Sequence, residues 1–218
     1  MGRRIILGDY DTSGNSWTLS DWNFSEAKYK SNFVEVPGCS IALDLSTALT
    51  DGEPVYDNRT FTATLESSVG TRLERKTRID AMINLLDGRQ IQITLPDDDT
   101  HYIYGRAHVA LKYNDLAHCA VTVTANCEPW RYAKDLTTKT ITATATATPY
   151  TLTNTGRRTA VPTLVVAGGD VTIVQGTYTT TLSAGTYILP DITVPTGGAT
   201  ITVSGSGTLT VTYREASL

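Results

Sequence analysis

Between Ile103 and Tyr113 every second residue is small or apolar: Ile103, Gly105, Ala107, Val109, Leu111 and Tyr113. Tyr104, Arg106, His108 and Lys112 stand between them. A period of two predicts a strand with one face in a core and one turned outward. Asn114-Asp115 reads as a turn, and a second strand follows with Cys119, Val121, Val123, Ala125 and Cys127 on its inner face. Glu128-Pro129-Trp130 should end this hairpin, because proline has no N–H to give to a ladder.

The same alternation predicts further strands upstream. Arg3–Leu7 is a first strand, followed by a polar turn from Asp9 to Asn15 and by Trp17, Trp22 and Phe24, large rings expected to anchor the core. Val34 and Val36 end a strand, Pro37-Gly38 is a turn, and Ile41, Leu43 and Leu45 alternate with Ala42 and Asp44 as in a half-buried strand. Phe61, Ala63 and Leu65 alternate with threonines, and Ile91, Ile93 and Leu95 form one more strand. Only Thr71–Leu86 carries a helical period: Ile79, Met82, Ile83 and Leu86 fall on one stripe, with Arg75, Lys76, Arg78 and Asp80 assigned off it. The helix, about residues 72–87, stops at Asp87-Gly88.

At Thr137 the composition changes. Residues 137–218 hold 25 threonines and only seven charged side chains. Thr138–Thr148 alternates almost strictly, and weaker alternation recurs at 163–167, 171–174, 187–189, 200–204 and 208–213, punctuated by glycines. Short strands with turns roughly every 8–12 residues predict a second all-β sandwich. The expected organisation is two antiparallel β-sandwich domains, 1–136 with one helix and 137–218 rich in threonine.

Composition narrows the function classes. The net charge is −4 and no basic tract occurs, which argues against a general nucleic-acid binder. No apolar run approaches the roughly 20 residues of a membrane helix, and the apolar run at Met1–Gly8 is too short for a secretory signal. Cys119 and Cys127, eight residues apart on one strand face, lie about 26 Å apart, beyond disulfide reach. They read as buried free thiols suited to a reducing cytoplasm. Asp97-Asp98-Asp99 lacks the ligand spacing of a calcium loop and reads as a turn, and His101, His108 and His118 read as residues of a polar strand face. Asp44 is expected to bond a turn backbone or Arg59. No nucleophile elbow, zinc-protease motif or phosphate-binding glycine loop is present, so no catalytic residue, cofactor or metal site is assigned and a non-enzymatic role is expected. What remains is sheet surface, with Arg106, His108, Lys112 and Arg59 as candidate rim residues for self-association.

Three segments together resemble the distal tail proteins of long-tailed, non-contractile bacteriophages. They are Val36-Pro37-Gly38 with Leu43-Asp44-Leu45 and Tyr56 to Arg59; the helix ending Leu85-Leu86-Asp87-Gly88; and Tyr104-Gly105-Arg106 through to Cys127-Glu128-Pro129-Trp130. Asn154, Gly156, Pro162 and Gly168-Gly169 resemble the opening of that family's second sandwich. Gly38-Cys39-Ser40-Ile41 departs from the family's acidic stretch after Pro-Gly.

The resemblance implies an N-terminal sandwich whose copies close a hexameric ring at the virion tail tip, and a galectin-like or carbohydrate-module-like sandwich outside it. It implies a structural adaptor, folded in the host bacterial cytoplasm, that joins the tail tube to the baseplate or receptor-binding apparatus. Its partners would be further copies, the tail-tube protein, tail-tip hub and tape-measure-associated proteins, and a receptor-binding protein or host glycan through 137–218. A carbohydrate-binding adhesion module and a tail-tube protein are the alternatives. After residue 137 the only aromatics are Tyr150, Tyr178, Tyr187 and Tyr213, a thin supply of sugar-stacking rings.

Overall fold

The structure is a computed structural model that describes residues 4–50 and 52–218. It is mainly β, with a single helix among the described residues. The chain divides into two compact units, Met1–Trp130 and Arg131–Leu218.

In the first unit, β1 (Ile6–Leu7) and β2 (Tyr10–Asp11) form a short hairpin, so the expected turn at Asp9–Asn15 contains a strand. Arg3, the expected start of the first strand, lies outside the described residues. The buried Thr12 hydroxyl closes this hairpin, accepting from Ile5 N and donating to Ile5 O. β3 (Thr18–Phe24) follows, then a small ribbon of β4 (Phe33–Val34) and β5 (Leu43–Asp44), then β6 (Arg59–Ser67), α1 (Arg72–Leu86), β7 (Gln90–Leu95), β8 (Asp98–Asn114) and β9 (Cys119–Ala133). The main sheet runs β2-β1-β7-β8-β9-β6-β3. Its apolar face carries Phe61, Ala63, Leu65, Ile93, Ile103, Val121 and Val123, all without solvent exposure, and α1 adds Ile79, Met82 and Leu86 to the same core. Trp17 is buried in this core, with Trp22 and Phe24 packed against it.

Four expectations change here. The buried face of β8 ends at Val109, while Leu111 and Tyr113 are exposed. The β7 ladder begins at the Gln90–Arg106 pair, so the far end of β8 runs past that neighbour. β9 does not stop at Pro129 but continues to Ala133. Pairing with β6 ends at Cys127, so Pro129 sits where that neighbour asks for no N–H. The alternating segment at Ile41–Leu45 is not a core strand: β4 and β5 pair only with each other, and Phe33, Val34, Ile41 and Leu43 are exposed. Finally, Arg75 lies on the buried stripe of the helix and is 1% exposed.

Arg75 is tolerated there because its guanidinium meets carbonyls. It donates to Gly70 O (2.5 Å), Asp115 O (2.9 Å) and Leu116 O (3.0 Å), pinning the helix start to the β8–β9 turn. The helix start itself is a capping box: Thr71 Oγ1 accepts from Glu74 N, and the Glu74 carboxylate accepts from Thr71 N.

In the second unit, β10 (Thr137–Thr142), β11 (Thr148–Leu152), β12 (Thr163–Ala167), β13 (Val171–Gln175), β14 (Tyr178–Leu182), β15 (Gly185–Ile188), β16 (Ala199–Gly205), β17 (Thr208–Tyr213) and β18 (Ala216–Ser217) follow in order. Two four-stranded antiparallel sheets, β10-β17-β12-β15 and β11-β16-β13-β14, share one core built from Ile141, Leu164, Val211, Ile173, Ile201 and Val203. Threonines alternate outward, as at Thr138↔Thr212 and Thr140↔Thr210. The long run Thr138–Thr148 is not one strand. It breaks after Thr142, and its two ends enter different sheets. Thr144 and Thr148 donate their hydroxyls to Thr146 O, a local turn that competes with the ladder. β18 pairs with Arg131–Tyr132, which assigns 131–136 to this unit although the composition shifts only at Thr137. Asn154, buried, donates to Arg158 O and Val194 O and accepts from Gly156 N, so this part of the signature is a turn lock.

Two outcomes test the packing. Arg75→Met keeps the stem and removes the donors, leaving three carbonyls without them. It should cost about 2–4 kcal/mol, read as a lower urea midpoint at unchanged m-value. At Gly105 a Cβ would lie 2.5 Å from Cys127 Sγ and 3.1 Å from Ala125 Cβ. Gly105→Ala should therefore cost about 1–3 kcal/mol, and adding Cys127→Ala should restore part of the loss in thermal melts.

Candidate functional site

The end of α1 and the polar face of β8 and β9 enclose an open cleft of about 500 Å³. Asp87 and Gly88 come from the helix stop, Tyr104, Arg106 and His108 from β8, and Asn126 and Glu128 from β9, with Asn58 and Gln90 at the margins. The helix exit is zipped to β8 through Gly88 N to Ala107 O (2.8 Å) and Ala107 N to Arg89 O (2.9 Å). This places Asp87 beside alternate outward residues of the strand. His108 Nδ1 lies 2.8 Å from Asp87 Oδ1, and Val109 N donates to the same oxygen at 2.9 Å. These bonds, Val109's first and then that of His108, hold the Asp87 carboxyl below its usual range. Arg106 Nη1 donates to Gly88 O at 2.5 Å, and its side chain remains exposed. The cleft thus offers a guanidinium, an imidazole, carboxylates and amides on a solvated sheet face.

Of the four rim candidates, the structure brings together Arg106 and His108. Lys112 lies on the exposed end of β8, outside the cleft lining. Arg59 is a correction: it is buried, with its guanidinium 3.6 Å over the Phe24 ring. It donates through Nε to Ser25 O (2.6 Å) and through Nη1 to Pro129 O (3.4 Å). Because its neighbours in sequence, Phe61 and Leu65, share its face of β6, that face turns inward and Arg59 cannot be a rim charge. It ties the end of β3 to β9 inside the protomer. Sequence reasoning missed Asp87 as the partner of His108, and Asn126 and Glu128 as residues lining the same cleft. The signal was there in the helix stop, but its registration on β8 was not.

The signature residues serve architecture. Pro37-Gly38 forms a type II turn, with Cys39 N donating to Val36 O (3.0 Å) and Gly38 at φ +86°, a value that favours glycine. Asp44 accepts from Ser46 N (2.9 Å), a turn bond that, with the Ser46 side chain first among the causes, lowers its pKa. Leu43 pairs with Val34 across the ribbon. Tyr56 stands edge-on to Trp130 with ring centroids 5.3 Å apart, one residue beyond Pro129. Cys127 packs against Gly105, and burial pushes its thiol up to about 12, as expected of a thiol held in a core. Cys119 is likewise buried, whereas Cys39 is exposed.

Among the described residues no cluster of three or more metal-ligating side chains occurs. Asp98 instead organises its own strand start: its Oδ1 accepts from Thr100 N, Thr100 Oγ1 and His101 N, and lies 3.1 Å from His101 Nδ1. Burial alone would raise this carboxyl, but the bonds from Thr100 and His101 and the charge of His101 outweigh it and lower the pKa from 3.8 to about 2. A depressed folded-state pKa adds stability above the unfolded value, and that stability is lost as pH falls from 3.8 towards about 2. Asp98→Asn should lower the melting temperature at neutral pH and flatten the acid limb across that window, as followed by circular dichroism.

No family model and no curated protein sequence matches the chain. Solved structures do. The SPP1 Dit protein, described as a paradigm of the hub adsorption apparatus in phages infecting Gram-positive bacteria, matches with a TM-score of 0.68 at 15% identity, over 99% of both chains. The phage p2 baseplate in its activated conformation with Sr aligns at a TM-score of 0.47 and 8% identity over 97% of both chains. The phage P2 baseplate with Ca aligns at 0.49 and 9% identity, over 99% of this chain and 98% of that one. From its first strand to its last, the chain has the fold of the SPP1 Dit protein.

Proposed function

We propose that this chain is a structural protein of a phage tail tip, a homohexameric ring adaptor joining the tail tube to the baseplate or receptor-binding apparatus. The observation that carries the reading is the likeness to the SPP1 Dit protein, which spans 99% of both chains and so includes both units. A tail-tube protein would not need the second unit on every ring. Two surfaces of the first unit support self-association: the polar cleft around Arg106 and His108, and the ribbon at residues 33–49 with its exposed apolar side chains. Head-to-tail use of unlike surfaces closes into rings where the rotation permits. Among the described residues no helix is long and apolar enough to cross a membrane. The adaptor would fold in the host cytoplasm and take its place at the virion tail tip.

The second unit would sit outside the ring as a galectin-like sandwich and meet receptor-binding proteins. Direct glycan binding is the weaker reading. Tyr150, Tyr178 and Tyr187 pack against the core, and the buried Tyr213 donates to Thr153 O, so these rings are engaged in the sandwich.

Size-exclusion chromatography with light scattering, and negative-stain images of the same fractions, should show six-membered rings at high protein concentration. A strict monomer there would overturn the ring. Arg106→Glu should weaken assembly on the order of tenfold, about 1.4 kcal/mol, while the protomer stays folded and melts cooperatively at a slightly lower temperature because the bond to Gly88 O is lost.

A further inference from the structure

We propose that the apolar ribbon of one copy docks into the groove between α1 and β8 of the next, an interface separate from the cleft around Arg106. The inference deepens the ring reading and rests on it.

The ribbon is built like a core element without a core. Phe33, Val34, Ile41, Leu43 and Leu49 are 41–98% exposed on a segment whose strands pair only with each other. Residues 33–49 contain two acidic side chains, Glu35 and Asp44, and no basic one. So much apolar surface on one short excursion marks a docking element.

The groove is its counterpart. It holds about 640 Å³ between the first half of α1 and the far end of β8, room for several apolar side chains. Leu73 and Leu111, 74% and 53% exposed, form its walls and the buried Ile79 its floor. Arg72, Lys76 and Asp80 rim it, two bases against one acid. Lys76 and Asp80 pair with each other at 2.8 Å, so the net positive charge of the rim is that of Arg72. An acidic apolar ribbon therefore meets a net basic apolar groove. The two surfaces are different patches of one chain, so each copy gives a ribbon to one neighbour and a groove to the other. That arrangement is heterologous and continues around a ring.

Cys39 at the ribbon turn is exposed, while Cys119 and Cys127 are buried, so the wild-type protein carries one accessible thiol placed on the ribbon. Full-length wild type is mixed at high concentration with either Leu73→Cys or Leu111→Cys, each combined with Cys39→Ser, and treated with a short bis-maleimide. Mass spectrometry should find Cys39 of one copy linked to position 73 or 111 of another. The link should be lost when Thr140→Cys/Cys39→Ser replaces the groove variant, and reduced when the wild-type partner carries Glu35→Lys. Rings seen by light scattering without these links would overturn the ribbon–groove pairing and leave the ring standing. Monomers without links would overturn both. Equal linking at position 140 would show random collision and overturn the pairing as well.

Discussion

One constraint governs the first unit: one face of β9 must stay dry over its whole paired length. Cys119, Val121, Val123 and Cys127 have no solvent exposure, with β8 on one side and β6 on the other. The neighbouring strands flank it, and α1 adds Ile79, Met82 and Leu86 to the same core as a lid. A lid held by apolar contact alone can slide. Arg75 fixes it by directing charge-assisted bonds at carbonyls of Gly70, Asp115 and Leu116, so the helix and the β8–β9 turn keep one register. Arg59 does the same at the other end of β9, holding Ser25 and Pro129. Two cations thus serve the interior, each allowed there because its desolvation is offset by oxygen or aromatic partners.

The second unit solves the same problem with different chemistry. Its strands bury valine, isoleucine and leucine and turn threonine outward, so a β-branched residue fits the pleat on both faces. Few charges are needed to keep the sheets apart or in register. The buried Asn154 and the β18 strand secure one end of the sandwich through backbone groups.

In the functional reading the first unit presents two kinds of surface. The polar cleft arises because the helix exit is bonded to β8 at Ala107, which brings Asp87 to His108 and Arg106 to Gly88. The ribbon arises because an alternating apolar segment leaves the sheet and, among the described residues, finds no cover. One offers charge and hydrogen bonds, the other apolar area, a division that suits register at one contact and affinity at another.

Much of this was legible in the residues themselves. Period-two alternation located β6, β7, β8, β9, β12 and β17, and the 3.6-residue period with Thr71 and Asp87-Gly88 bounded the helix, because these patterns report only which side chains share a face. They do not report what lies opposite that face. Hence Ile41–Leu45 read as core but is exposed, Leu111 read as core but walls a groove, and Arg59 read as a rim charge but is stacked on Phe24. Arg75 stands four residues before Ile79 and so on the buried line of the helix, although its charge alone predicts exposure. By itself the sequence determined the helix and the strands of clear period two, the plan of two β units and the inward thiols. The tertiary structure decided which apolar and charged faces find partners inside one molecule, because that depends on long-range registration such as Ala107 with the helix exit, which no local period encodes.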